Sequence, residues 1–239
     1  MTASIALTEL SYVLRREPFR ETSALVRVWC KSVGLQSAIV KGVYGSKQIA
    51  QTRNAWLQPF SPLLMQLRGL RELKTIYDFE PAGPAWRPTG ALLPACLYLN
   101  QLSFITLTKF QVDEALFVRY QLTLKALARA QVLEQRLSAC LREYEQFLLE
   151  HIGFGINFET DNEAQPIQAK QTYRYTPEFG FCLESTSSLT GEQVSHLKFA
   201  NWGLPGTLSW ARQIYQAQLQ WCLEQELPRP MRLTPSAPH

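Results

Sequence analysis

A chain of 239 residues with 46% hydrophobic and 18% charged residues and a net charge of +4 is long enough to bury one large core or about two to three smaller ones. No apolar run approaches the roughly 18 residues that a membrane helix needs, and "MTASIALTEL" carries Glu9 where a signal peptide has a basic start and a long apolar segment, so a cytoplasmic protein is expected. Cys30, Cys96, Cys140, Cys182 and Cys222 are odd in number, far apart and never paired as C-x-x-C; they signal neither a disulfide framework nor a zinc site, and reduced thiols packed as small hydrophobes are expected.

Up to about residue 80 the pattern is one of strands. In "SALVRVWCKS" Leu25, Arg27, Trp29 and Lys31 alternate with Ala24, Val26, Val28 and Cys30. "SYVLRREPF" precedes it, and "LQSAIVKG", "FSPLLMQLRG" and "LKTIYDFE" follow, with turn signals between. Five short strands suit a small barrel, which at this size is most often an OB-fold with an oligonucleotide-binding face. After the linker "EPAGPAWRPTG" the period becomes helical: Leu93, Leu97, Leu102 and Ile105, then Leu116, Tyr120, Leu124 and Leu127, then Leu133, Leu137, Leu141, Tyr144, Leu148 and Ile152. Asp113 can cap the second of these helices and Gly153 can end the third. From Phe154 onward, "QTYRY" and "FGFCLE" around "TPE" read as a hairpin, Thr190-x-x-Gln193 as a capping box, and Thr207 to about Glu226 as a last helix. The division is 1–80, 81–155 and 156–239.

The charge is unevenly spread. Residues 1–80 hold eleven Lys or Arg against six Asp or Glu, a net +5, and the remainder nets −1. From Thr22 to Arg71 there is no acid at all. A basic face interleaved with aromatic rings suits nucleic acid, since cations release counterions from phosphates and rings stack on bases. The alternative is a solvated barrel exterior depleted of acids by chance. In "AIVKGVYGSK", the loop leaving the third strand, Lys41 and Lys47 are phosphate candidates and Tyr44 a stacking ring; Arg15, Arg16, Arg20, Arg53 and Lys74 would extend the path.

Catalytic patterns are absent from the sequence: there is no GxxxxGK[ST], no GxGxxG after a strand and no H-x-x-x-H, and the histidines are only His151, His196 and His239. His151 reads as a helix-terminal charge, and Glu143, Glu145 and Glu150 as a solvated flank beside Arg142. An acid-free basic face cannot hold the metals of a nuclease or polymerase. Binding is favoured over catalysis; a generic single-strand or RNA-binding OB protein, and an enzyme with an unrecognised site among the helices, remain as alternatives.

"VLRREPFRETSALVRVWCKSVGLQSAIVKG", "LQPFSPLLMQLRGLRELKTIYDFE", "LYLNQL" and "LREYEQFLLEHIGFGINF" with the downstream "TYRY" together resemble, in order and spacing, the bacterial recombination mediator family RecO. The likeness runs to about residue 185. It implies an α+β chain: an N-terminal OB-fold barrel, then an α-helical domain bearing a small zinc-ribbon-like hairpin insertion. It also implies binding of single- and double-stranded DNA, annealing of complementary strands, partnership with RecR and with the acidic tail of single-stranded DNA-binding protein, and RecA loading at gaps, with no cofactor, no covalent chemistry and association with the nucleoid during repair.

Two departures stand out. Many relatives carry four cysteines in the insertion, where here only Cys182 is near, so a degenerate, metal-free hairpin packed by Tyr173, Tyr175, Phe179 and Phe181 is expected. The loop after Lys41-Gly42 is less basic than is usual in the family. For the partner's tail, the resemblance points to Arg142 in "LREYEQFLL" as the carboxylate-gripping cation, with Leu97, Leu116 and Tyr120 as candidate slot residues; the alternatives are that these three are core and that Arg142 is a solvated partner of Glu145 or Gln146.

Overall fold

Alternation in the first strands carries straight into their packing. In a computed structural model, which describes residues 7–69, 72–109, 114–130 and 134–224, β1 (Leu7–Phe19), β2 (Ser23–Cys30), β3 (Gly34–Val40), β4 (Leu63–Arg68) and β5 (Leu73–Pro81) close into a barrel in the order β1-β2-β3-β5-β4. All pairings are antiparallel except β3 with β5. This is the topology of the expected OB-fold, and closure leaves no strand edge open. Val13, Ala24, Val26, Val28, Cys30, Ala38, Val40, Met65, Ile76 and Phe79 fill the interior. Their intervening neighbours Leu25, Arg27, Ser37 and Ile39 stay only half-buried on the outer face, as a two-residue period requires.

Trp29 also points outward by that period, yet it is buried. Phe117 and Tyr120 of α3 (Glu114–Arg129) close over it at ring-centroid distances of 5.4 and 5.2 Å, and both rings meet Tyr12 of β1 as well. Such tilted and edge-on pairs add about 0.5–1.5 kcal/mol each beyond the area they bury. α2 (Leu92–Lys109) packs Cys96, Leu99, Leu102 and Ile105 inward, and its Asn100 donates to the Val13 carbonyl, beside the ladder irregularity between Val13 and Arg15, while accepting from the Tyr120 hydroxyl.

The strand pattern gave no hint of α1 (Gln48–Trp56), a helix between β3 and β4. It buries only Ala50, has no acid in its first turn, and its N-cap Lys47 makes no side-chain capping bond, so neither an apolar stripe nor a cap motif marks it. What closes its C-terminal end comes from a distant strand: Arg16 of β1 donates to the Leu57 carbonyl at 2.9 Å and to Asn54 Oδ1 at 2.5 Å.

By its internal contacts the chain separates into two compact units after Leu124, within α3. In the second unit α4 (Glu134–His151) and α6 (Thr207–Leu223) pack on each other, and Leu137, Leu141, Tyr144 and Leu148 of the first and Ala211, Tyr215 and Leu219 of the second are buried. Gly153, at φ 84°, takes the left-handed position that ends α4. The expected capping box at Thr190 is present at the start of α5 (Gly191–Lys198). Asp113, Leu133 and the end of the last helix beyond Glu224 lie outside the described residues.

The hairpin is β6 (Thr172–Thr176) with β7 (Gly180–Leu183), and short β8 (Leu189–Thr190) completes a sheet in the order β7-β6-β8. Tyr173 and Phe181 are buried, and Tyr175 and Phe158 lean on Phe181 at 5.1 and 5.8 Å. Phe179 does not join them: it sits in the turn, 61% exposed, because the tight connection before Gly180 points it away from the sheet. The approach to the hairpin is organised by a carboxylate. Asp161 Oδ1 accepts from the backbone N–H groups of Glu163 and Gln165, each at 2.9 Å, and the Asn162 N–H donates to the Phe181 carbonyl.

Candidate nucleic-acid interface

The β1–β2 turn and the loop after β3 are stitched together by their backbones: the N–H groups of Val43 and Tyr44 both donate to the Thr22 carbonyl, at 2.9 and 3.2 Å. Gly42, at φ 66°, and Arg20, at φ 56°, supply the left-handed residues that let both segments reverse. Arg20, Lys41, Tyr44 and Lys47 thus gather at one end of the barrel. Val43 is the buried anchor of the loop, and Tyr44 lies half-buried over the core. Among the described residues Lys41 and Lys47 meet no carboxylate or carbonyl, and both are exposed. Arg20 rests on its neighbour Phe19, with Cζ 5.2 Å from the ring centroid.

The other expected cations have partners within the fold. Arg16, besides closing α1, lies 5.0 Å from the Tyr44 ring. Arg53 of α1 lies 4.4 Å over Phe79 and pairs with Asp78 at 3.4 Å. Arg15 stacks 4.1 Å over Phe104 and donates to Gln101 Oε1 at 2.6 Å. Lys74, opposite Ala38 in the register of β3 with β5, donates to the Gly69 carbonyl in the β4–β5 connection. Strand register adds a cation that the path had not included: Arg27 lies on the outer face opposite Arg15 on one side and Ser37 on the other. Its outward place in the alternation of β2 was the available signal. Arg68, 3.9 Å over the half-exposed Tyr77, is a second, and its position rests on the irregularity between Gln66 and Leu67.

The four residues expected to take a partner's tail fare differently. Leu116 and Tyr120 are fully buried in the first unit, and Leu97 is 51% exposed. In the second unit Arg142 is 3% exposed and pairs at 2.6 Å with Glu145, itself wholly buried, so this is an enclosed ion pair and not the solvated flank expected for Glu145. Glu143 accepts from Trp202 Nε1, and His151 stacks on Phe147 at 5.6 Å. None of the five cysteines is in a disulfide. Burial pushes the Cys30 and Cys96 thiols up to about 12. Among the described residues no three His, Cys, Asp or Glu side chains stand together as a metal site, and no helix is long and apolar enough to cross a membrane.

The family model described as Recombination protein O N terminal matches residues 6–85, the barrel and the start of the linker. Beyond the barrel, the chain is 35% identical over 196 residues to the DNA repair protein RecO of Pseudoalteromonas atlantica, covering 80% of this chain and 79% of the relative. The RecO of Stutzerimonas stutzeri is 32% identical over 219 residues, with 90% and 87% covered, and that of Nitrosococcus oceani 37% identical over 185, with 77% and 72% covered. A barrel matched from end to end, and identity that continues through the helices over most of both chains, establish that this chain belongs to the RecO family of DNA repair proteins.

Proposed function

We propose that the barrel binds single- and double-stranded DNA and that the chain acts as a recombination mediator, annealing complementary strands and, with RecR and single-stranded DNA-binding protein, promoting RecA loading at gaps. It performs no covalent chemistry and works in the cytoplasm at the nucleoid. The observation that carries the reading is the open set at one end of the barrel: Lys41 and Lys47, exposed and without side-chain partners among the described residues, in a stretch free of acids with the ring of Tyr44, and Arg20 in the facing turn. Phosphates would complete these cations, and Tyr44, already backed by Arg16, offers a face for a base. The tail of single-stranded DNA-binding protein is proposed as a partner without assigned contacts, because of Arg142, Leu97, Leu116 and Tyr120 only Leu97 is open to solvent.

Salt titration tests the DNA reading. Each phosphate contact on a single strand contributes about −0.7 to the slope of log K against log salt. Replacing Lys41 and Lys47 by Glu should flatten the slope by about 1.4 or more and weaken binding. Unchanged slope and affinity would reduce this basic end to a solvated surface.

A further inference from the structure

A groove of about 420 Å³ lies on the first unit, between the turn that enters β4 and the start of α2. Its floor is firmly built. The Trp86 N–H donates to Ser61 Oγ at 2.8 Å, Ser61 Oγ lies 3.3 Å from the Trp86 carbonyl, and the Trp86 and Phe60 rings meet at 6.4 Å. Phe60 is held at φ 72°, a left-handed conformation that a bulky residue adopts only when its surroundings impose it. Pro59 and Pro88 stiffen the two rims.

The wall is the outward face of α2. Leu93 and Leu97, one turn apart, are 39% and 51% exposed, and Gln101 and Phe104 continue the same row along the helix. From Leu93 to Phe104 this row runs about 16 Å at 1.5 Å per residue. Arg87 stands at its start, lining the groove, and Arg15 lies over Phe104 at its end. No Asp or Glu occurs from Thr22 to Arg71 or from Pro81 to Val112, the stretches that supply the groove and this face of α2.

We infer that this groove and helix face dock an acidic amphipathic helix of a protein partner. The open apolar part of the row, Leu93 and Leu97, is a ridge that fits between the side chains of a second helix, and Gln101 and Phe104 beyond it are bridged by Arg15. Arg87 donates one bond to the Ala55 carbonyl and Arg15 one to Gln101, yet both stay exposed; their remaining N–H groups at the two ends, with no acid between, call for carboxylates at both ends of the visitor, a spacing that a helix of about three turns supplies and a single terminal carboxylate does not. Bases are poorer occupants, since Phe60 is buried, leaving only the Trp86 ring among leucines and prolines. The inference is independent of DNA binding by the barrel.

The test is fluorescence anisotropy on the full chain with a labelled 16-residue helix-forming peptide carrying leucines at four-residue intervals and glutamates at both ends. A lysine-for-glutamate version and an unstructured acidic peptide with a C-terminal phenylalanine are run beside it. Saturable binding of the glutamate helix, about tenfold or more tighter than the lysine version, is expected. Leu93→Glu and Arg87→Glu should each weaken it about tenfold or more while leaving DNA affinity unchanged and the melting temperature within about 2 °C; both side chains are exposed, and the bond from Arg87 to the Ala55 carbonyl is a solvent-facing one. Equal binding of the two helices, no effect of either substitution, or binding only of the peptide with the free C-terminal carboxylate would each overturn the proposal.

Discussion

Arg16 separates a structural cation from a DNA-binding one. Its guanidinium donates from Nη1 to the Leu57 carbonyl at 2.9 Å and from Nη2 to Asn54 Oδ1 at 2.5 Å, and it covers the Tyr44 ring at 5.0 Å. Hydrogen bonds from a charged donor contribute about 1.5–3 kcal/mol each, and part of that is recovered by water in a half-buried setting. Arg16→Ala should therefore cost about 2–3 kcal/mol. In a unit of this size that lowers the melting temperature by about 6–12 °C. Arg16→Lys keeps the charge but lacks the planar fork, so it should recover less than half of the loss. The decisive readout is amide exchange across 49–57, which should accelerate in both variants, while Arg16→Lys keeps the parent's salt slope on single-stranded DNA. If Arg16→Ala melts within about 1 °C of the parent and the slope flattens by about 0.7, the side chain is a phosphate ligand and its role in closing α1 is refuted.

The thiols give a pH prediction. With folded-state values near 12 against an ordinary 9, Cys30 and Cys96 bind their protons more tightly folded than unfolded, so their contribution is complete below about pH 9 and is lost as pH rises toward 12. Denaturant midpoints should fall steadily above about pH 9, and a disulfide reagent at pH 8 should label the half-buried Cys140, Cys182 and Cys222 before these two; rapid labelling of Cys30 would refute the burial argument. The hairpin should be indifferent to chelator, whereas Asp161→Ala, which removes the acceptor of two backbone N–H groups, should lower stability by about 1–2 kcal/mol. Stoichiometric zinc whose removal unfolds the second unit would contradict this.

The barrel was legible because each strand buries one face. Ala24, Val26, Val28 and Cys30 against Leu25, Arg27, Trp29 and Lys31 is a two-residue period that only a half-buried strand needs. The capping box at Thr190 and the left-handed Gly153 were legible for the same kind of reason, since their bonding is local in the chain. Long-range closure left no such trace. α1 is held at its end by Arg16, separated from Asn54 by 38 positions, and nothing within "QIAQTRNAW" announces that partner. The exposure of Phe179 depends on the direction a tight turn gives one side chain, and that of Leu97 on which leucines of α2 face the barrel. Helical spacing alone does not choose between them.

The basic candidates divide along a line that side-chain chemistry explains. Arg15, Arg16 and Arg53 each lie over an aromatic ring, and each finds an oxygen acceptor within the fold. A planar, weakly hydrated fork gains from stacking and from two-point bonding, so arginine is drawn into the fold wherever a ring and an oxygen stand together. Lys41 and Lys47 carry compact, strongly hydrated charges on flexible stems and stay in water beside Tyr44. Lys74, bound to the Gly69 carbonyl, departs from this division, as does Arg20, which has a ring but no acceptor among the described residues. Counting cations in the acid-free stretch therefore overstates the charge free to meet phosphate. On the proposed DNA-binding reading, the arginines that hold Tyr44 and α1 in place would act on a strand through the loop they position, and the lysines of that loop are expected to carry the salt dependence.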